Sequence, residues 1–146
     1  MDVYVIDTNI VFTAAMNPNS PIGRFIMATR PSDIRFHAPV YLQLEINRHV
    51  DKLMEASQLS EAEVREQLDL VCGKIDFMPD SDIPMSYYLN AVGLVREVDL
   101  DDLVFVAMND YLNSLLWTGN TTLYRHLISK GYERVVNFEE IKQKYS

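Results

Sequence analysis

The chain has 146 residues, 48% of them hydrophobic and 23% charged, with a formal net charge of −8. A chain of this length buries roughly 70% of its unfolded surface, which predicts one globular domain over residues 1–146. The acidic balance argues against a surface that holds nucleic acid by charge alone, and no apolar run approaches the roughly 20 residues that cross a bilayer.

The opening Val3-Tyr4-Val5-Ile6 is apolar and β-branched, like a strand covered on both faces in a parallel sheet. It stops at Asp7-Thr8-Asn9, residue types that favour turns and helix N-caps. A helix is predicted from Ile10 to Met16, broken by Asn17-Pro18-Asn19-Ser20, with a second from about Pro21 to Thr29. Ile34 to His37 reads as a strand, and Pro39 as the first turn of a long helix reaching about Ser57. Ser60-Glu61-Ala62-Glu63 matches a capping box, with Leu59 and Val64 as its hydrophobic staple. Val64, Leu68, Val71 and Ile75 then make one apolar stripe at helical spacing, so these two helices should form an antiparallel hairpin. Phe77-Met78 reads as a short strand before the turn-rich Pro79 to Pro84. Helices follow over Met85 to Glu97 and Asp101 to Leu112, the second apolar nearly all round and therefore buried. Ser114 to Trp117 is a strand, Thr118-Gly119-Asn120 a turn, and a helix continues to about Lys130. Val135-Val136 and a helix from Phe138 to Lys144 close the chain. Short strands alternating with helices predict a three-layer α/β/α sandwich with a mainly parallel central sheet.

In such sheets the loops at the carboxyl ends of the strands build the binding crevice. Asp7 and Asn120 both fall there, although Asp7 also suits a plain N-cap. Glu45, on the long helix, reads either as a solvated partner of Arg48 or His49, worth ~0.2–0.5 kcal/mol, or as a metal-site carboxylate at the border of the core. In the second reading Arg48 and Lys52 would engage phosphates. Asp99-Leu100-Asp101-Asp102 opens the buried helix, where acids favour the positive helix end and Asp99 with Asp102 imitates a capping box. Three carboxylates in four positions exceed what a cap needs, and the excess points to a cation. His37 and His126 have no companion ligand at metal-site spacing and read as structural or surface groups. Trp117 reads as packing, and Arg24, Arg125 and Lys130 as solvated surface unless an RNA groove recruits them. The single Cys72 forms no internal disulfide and suits a small core position. With a start, Met1-Asp2-Val3-Tyr4, unlike a signal peptide, it fits a reducing cytoplasm.

With these residues in place the whole chain resembles the PIN-domain family, which includes many bacterial and archaeal toxin ribonucleases. Val5-Ile6-Asp7-Thr8-Asn9-Ile10 resembles the family's first strand with its leading Asp, and Leu44-Glu45-Ile46 its second acidic position. Asp99-Leu100-Asp101-Asp102-Leu103 resembles the D-x-x-D start of the next acidic helix, and Leu116-Trp117-Thr118-Gly119-Asn120 the strand-end Thr-Gly-Asp segment. Asn120 stands where the family's last acid would be, which removes one negative charge. The resemblance implies hydrolysis of single-stranded RNA with Mg²⁺ or Mn²⁺. It makes Asp7, Glu45 and Asp102 catalytic, Asp7 and Asp102 direct metal ligands, Glu45 a ligand or the orienter of a water, and Asp99 an auxiliary ligand. Thr8, Asn9, Thr118 and Asn120 would hold these groups or nearby phosphates. A small antitoxin protein and a second copy of the chain are the implied partners, with no membrane.

Two rivals remain open at this level. One is a catalytically weakened PIN-like module that binds RNA or protein, which Asn120 favours. The other is phosphotransfer through an aspartyl phosphate, but haloacid-dehalogenase-like phosphatases carry a second Asp two residues after the first, where this chain has Asn9. A receiver domain fits less well, since His37-Ala38-Pro39 offers no Asp after a middle strand.

Overall fold

The apolar opening run folds as β1 (Asp2–Ile6), the central strand of a wholly parallel five-stranded sheet, in a computed structural model that describes residues 1–146. β2 (Ile34–Pro39) and β3 (Ile75–Met78) lie to one side of it, β4 (Leu115–Trp117) and β5 (Val135–Val136) to the other, giving the order β3-β2-β1-β4-β5. Val5 stands opposite His37 in β2 and Leu116 in β4, and Ile6 opposite Trp117. Such strands, flanked and covered on both faces, need continuous apolar sequence, and Tyr4, Val5, Ile6, Leu116 and Trp117 are all buried.

α1 (Thr8–Met16) and α2 (Pro21–Ala28) carry the chain from β1 to β2, and α3 (Tyr41–Ser57) and α4 (Glu61–Cys72) from β2 to β3. These four helices pack on one another, α1 lying against α2, α3 and α4. α5 (Met85–Val95), a 3₁₀ turn (Leu100–Asp102) and α6 (Leu103–Leu112) return past β2 and β1 to β4. α6 rests on β1, β2 and β4 with α5 against it, α7 (Thr121–Ser129) joins β4 to β5, and α8 (Phe138–Tyr145) follows. The result is the expected α/β/α sandwich, and its sheet is parallel throughout.

The direction of the crossovers reverses between β1 and β4. In open α/β sheets that reversal opens a crevice at the carboxyl ends of the two strands. It lies at Asp7, just after β1, and Thr118, just after β4. The Asp7 backbone N–H donates to the Trp117 carbonyl (3.0 Å), which holds the two ends side by side.

The capping box forms as the sequence predicts, with Ser60 Oγ accepting from the Glu63 N–H and Glu63 Oε1 from the Ser60 N–H, both at 3.2 Å. Three of the boundaries that differ from expectation have a clear physical reason. Pro39 ends β2 rather than starting α3, which begins at Tyr41. By that point β2 has run past its last β1 partner, His37, so the missing proline N–H leaves no ladder bond unmade on that flank. Ile75 opens β3, because α4 ends at Cys72; its burial continued the helical spacing by coincidence. The acidic run before α6 forms its own 3₁₀ turn, so α6 starts at Leu103, not Asp101.

Candidate active site

Asp7 occupies the N-cap position of α1, but its side chain makes no cap hydrogen bond. Its Oδ2 instead accepts from the Thr118 hydroxyl at 2.6 Å, across the crevice. Thr118 in turn accepts from the Asn120 N–H (3.0 Å). Asn9 closes the same junction from the other strand, its amide oxygen accepting from the Gly119 N–H at 3.2 Å. A Cβ at residue 119 would stand 3.2 Å from Ile10 and 3.3 Å from the Asn9 amide oxygen, so glycine suits this close approach. Thr118 and Asp7 are both buried. Burial pushes the Asp7 carboxyl up, opposed by the Thr118 hydroxyl and by the Thr8 and Asn9 amides.

Glu45, on the second turn of α3, does not pair with Arg48 or His49. Its Oε1 accepts from the Thr8 hydroxyl at 2.6 Å, which draws α3 onto the start of α1. Partial burial raises its pKa against that hydrogen bond, helped by the charges of Asp7, Asp101 and Asp99. Asp102 stands at the N-cap of α6 without capping it, and its Oδ2 is buried with no hydrogen-bond partner. Burial first, then Asp7, Asp99, Glu45 and Asp101, push its carboxyl up to about 7.

Five carboxylates therefore act on one another at this crevice. Asp99 is exposed and caps the 3₁₀ turn, its Oδ1 accepting from the Asp101 N–H at 2.9 Å. Asp101 accepts from the Tyr41 hydroxyl at 3.1 Å. Sequence reasoning counted Asp101 in the acidic run but overlooked its bond to Tyr41, which precedes Glu45 by four residues and so shares its helix face. It overlooked Asn109 as well, buried in α6, which donates to the Arg134 carbonyl (2.9 Å) and the Tyr132 hydroxyl (2.8 Å) and accepts from Ser114 (2.9 Å). That network fixes α6, and with it Asp102, against the sheet.

Asn120 stands at the N-cap of α7. Its Oδ1 accepts the Leu123 N–H at 3.1 Å and caps α7, which commits its carbonyl to the helix. Arg48 is exposed, free of ion pairs, and close enough to Tyr41 for its charge to act on that hydroxyl. Lys52 lies away from the acids, on a separate groove with Phe12 and His49. His126 bonds the Leu94 carbonyl (2.8 Å) and His37 is half-buried on β2, both structural. Cys72, its thiol pushed by burial to about 11, is inert.

The donors are all oxygens, the type that hard divalent cations take. The partnerless Asp102 Oδ2 fits such an ion, and the second oxygen of Glu45 accepts no hydrogen bond. No three of these side chains stand in an arrangement that would enclose a metal ion. The set therefore suits an ion held through one or two carboxylates and its own waters, as Mg²⁺ is commonly bound, rather than a closed cage.

Comparison with known proteins agrees with this layout. Among solved structures the chain resembles VapBC2 from Rickettsia felis, bound to a DNA fragment from their promoter, at 16% identity with a TM-score of 0.69, covering 92% of this chain and 98% of that one. It also resembles VapBC-1 from nontypeable Haemophilus influenzae (16% identity, TM-score 0.63, 94% and 98% covered). A toxin–antitoxin complex from Klebsiella pneumoniae is similar too (18% identity, TM-score 0.58, 93% and 96% covered). These likenesses concern the fold. No curated protein sequence matches the chain. The family model for the PIN domain matches residues 5–141, a span that runs from before Asp7 to beyond Asn137, and on that match the chain belongs to the PIN-domain family.

Proposed function

We propose that the protein is a metal-dependent nuclease that cuts single-stranded RNA, and that it acts as the toxin of a toxin–antitoxin pair. The observation that carries this reading is the half-buried Asp102, whose Oδ2 is buried and partnerless beside Asp7 and Glu45 at the sheet's reversal. Family membership and the shared fold support it.

A bound Mg²⁺ or Mn²⁺ would supply Lewis acidity at the phosphodiester and a more acidic water. Asp7 and Asp102 would hold the ion directly, with Asp99 as the outer, exposed ligand. Glu45 binds the ion or orients a water, its carboxylate aimed by the Thr8 hydroxyl. Thr118 holds Asp7 in one rotamer and is itself fixed by the Asn120 N–H. Asn9 keeps the two strand ends together, and Arg48, at the rim, offers a cation to the substrate backbone. Lys52 serves only a strand that runs beyond the acidic pocket along α3. No covalent nucleophile is needed.

A second reading, a PIN-like module that binds RNA or protein without cutting, is favoured by Asn120, whose carbonyl is spent on α7. One experiment separates the two: cleavage of a mixed-sequence single-stranded RNA in Mn²⁺ or Mg²⁺ by wild type, Asp7→Asn and Asp102→Asn, with EDTA as control. Cleavage lost in both variants and in EDTA supports the nuclease. Equal cleavage by all three proteins removes the site assignment, and a folded wild type that cuts nothing puts the binding module first. The antitoxin, a second copy of the chain and a cytoplasmic site of action are proposals of the same kind. No helix here is long and apolar enough to cross a membrane.

A further inference from the structure

A cavity of about 260 Å³ shares the Thr118–Gly119–Asn120 wall with the acidic pocket and opens on its other side, towards α7 and α8. Its apolar surface comes from Ile10, Ile22 and the rings of Tyr124 and Phe138. Both rings are held in advance. The Tyr124 hydroxyl donates to Glu140 at 2.6 Å, and Phe138 stacks on Trp117 at 6.0 Å and 18°. A ligand entering the cavity meets these two walls already fixed, which removes one cost of binding.

Two asparagines supply the polar edge. Asn120 and Asn137 cap α7 and α8, their amide oxygens accepting the Leu123 N–H (3.1 Å) and the Glu140 N–H (3.0 Å). A backbone N–H only donates, so each cap fixes which end of the amide is oxygen. The two NH₂ groups are left as donors that bond nothing else in the chain. Position 120 would present only acceptors if it were the acid of the family pattern. The departure at Asn120 thus exchanges a charge for a hydrogen-bond donor beside the cavity.

The occupant can be narrowed by charge and size. No Lys or Arg lines the cavity, and Glu139 stands on its rim, so a phosphate is disfavoured. The volume falls below the roughly 300 Å³ at which drug-sized sites begin, room for one planar ring system. Unstacked RNA bases are recognised in this way, an aromatic wall for the ring and hydrogen bonds for its edge. From this we infer that the cavity is a base subsite, taking a nucleobase with carbonyl acceptors (uracil, cytosine or guanine) next to the phosphodiester at Asp7 and Asp102. This rests on the ribonuclease reading for its substrate but not for its binding chemistry.

The test uses the metal-free protein first. Uridine, cytidine, guanosine, adenosine and inorganic phosphate are titrated in separate NMR experiments that follow the Asn120 and Asn137 side-chain NH₂ resonances. Uridine, cytidine and guanosine should shift both, with adenosine, which lacks a carbonyl, weaker. Asn137→Asp keeps the cap, since Asp serves as well as Asn there, but removes one donor. It should weaken nucleoside binding about fivefold, one hydrogen bond of ~1 kcal/mol. On mixed-sequence RNA the same variant should flatten, by a similar factor, the base preference at one position beside the cut. Shifts caused by phosphate and not by nucleosides overturn the assignment, as does cleavage with a base preference unchanged in Asn137→Asp. Nucleoside-dependent shifts in a protein that cuts no RNA uphold the subsite and refute the ribonuclease reading instead.

Discussion

Replacing Asp102 by Asn should make the metal-free protein more stable at pH 8. In the folded chain the Asp102 carboxyl is pushed up to about 7 by burial and by four neighbouring acids, whereas an unfolded Asp titrates near 3.9. Between those values the folded protein holds a proton that the unfolded chain has released, so stability falls as pH rises through about 4 to 7. Taken at face value the difference is about 4 kcal/mol. Asp102 is only partly buried, and solvent screening reduces this to about 1–2 kcal/mol. Asn carries no charge to desolvate. Its melting temperature should exceed that of wild type by about 2–8 °C at pH 8 in EDTA, and the gain should shrink to about a third at pH 5, where the folded wild type is protonated. Adding Mn²⁺ should reverse the order, because an ion that binds only the folded wild type stabilises it by RT ln(1 + [Mn²⁺]/Kd). Thermal melts of both proteins across pH, with and without Mn²⁺, test the reasoning. An Asn variant less stable than wild type at pH 8 in EDTA, or one stabilised equally by Mn²⁺, would refute the view that Asp102 is an unshielded charge waiting for a cation.

Thr118→Val should cost about 2–4 kcal/mol in urea unfolding, because Asp7 loses its donor inside the protein and the Asn120 N–H its acceptor; Thr118→Ser should recover most of it. Asn120→Asp should keep the α7 cap and leave stability within about 0.5 kcal/mol of wild type. With its oxygen turned to Leu123, calorimetry should show Mn²⁺ binding tightened by less than about threefold. Ser60→Ala should lower stability by about 1 kcal/mol through the lost capping box while RNA cleavage stays unchanged, a control that separates destabilisation from damage to the site.

Much of this molecule could be read before folding, for identifiable reasons. The apolar runs of β1 and β4 had to lie in a covered parallel sheet, and the polar residues after them fell at its carboxyl edge. Asp7 was ambiguous because a cap and a functional carboxylate share the same local sequence. Only the Thr118 hydroxyl, 111 positions away, decides where its side chain turns. The same holds for Glu45, whose partner proved to be Thr8 rather than a neighbour on its own helix. Asn120 was legible as a departure but not as a cap with a free donor, since that depends on how α7 starts. Pro39 and Ile75 were misassigned because a proline at a strand end resembles one at a helix start, and a buried strand residue can extend a helical stripe. The bond between Asp101 and Tyr41 was missed because it joins elements sixty residues apart.

The crevice between β1 and β4 has a consequence in time. Asp7 is made 111 residues before Thr118. At about 5–20 residues per second, a ribosome takes roughly 5–20 s to cover that interval. Until then Asp7 has neither its hydroxyl donor nor the backbone acceptor at Trp117, and β1 lacks its β4 neighbour. Asp102, too, follows Asp7 by 95 residues. A nascent chain sits beside both messenger and ribosomal RNA, and under the proposed ribonuclease function a cutting centre assembled from β1 alone would threaten the template that encodes it. Splitting the centre between β1 and β4 delays any such hazard until both strands have emerged.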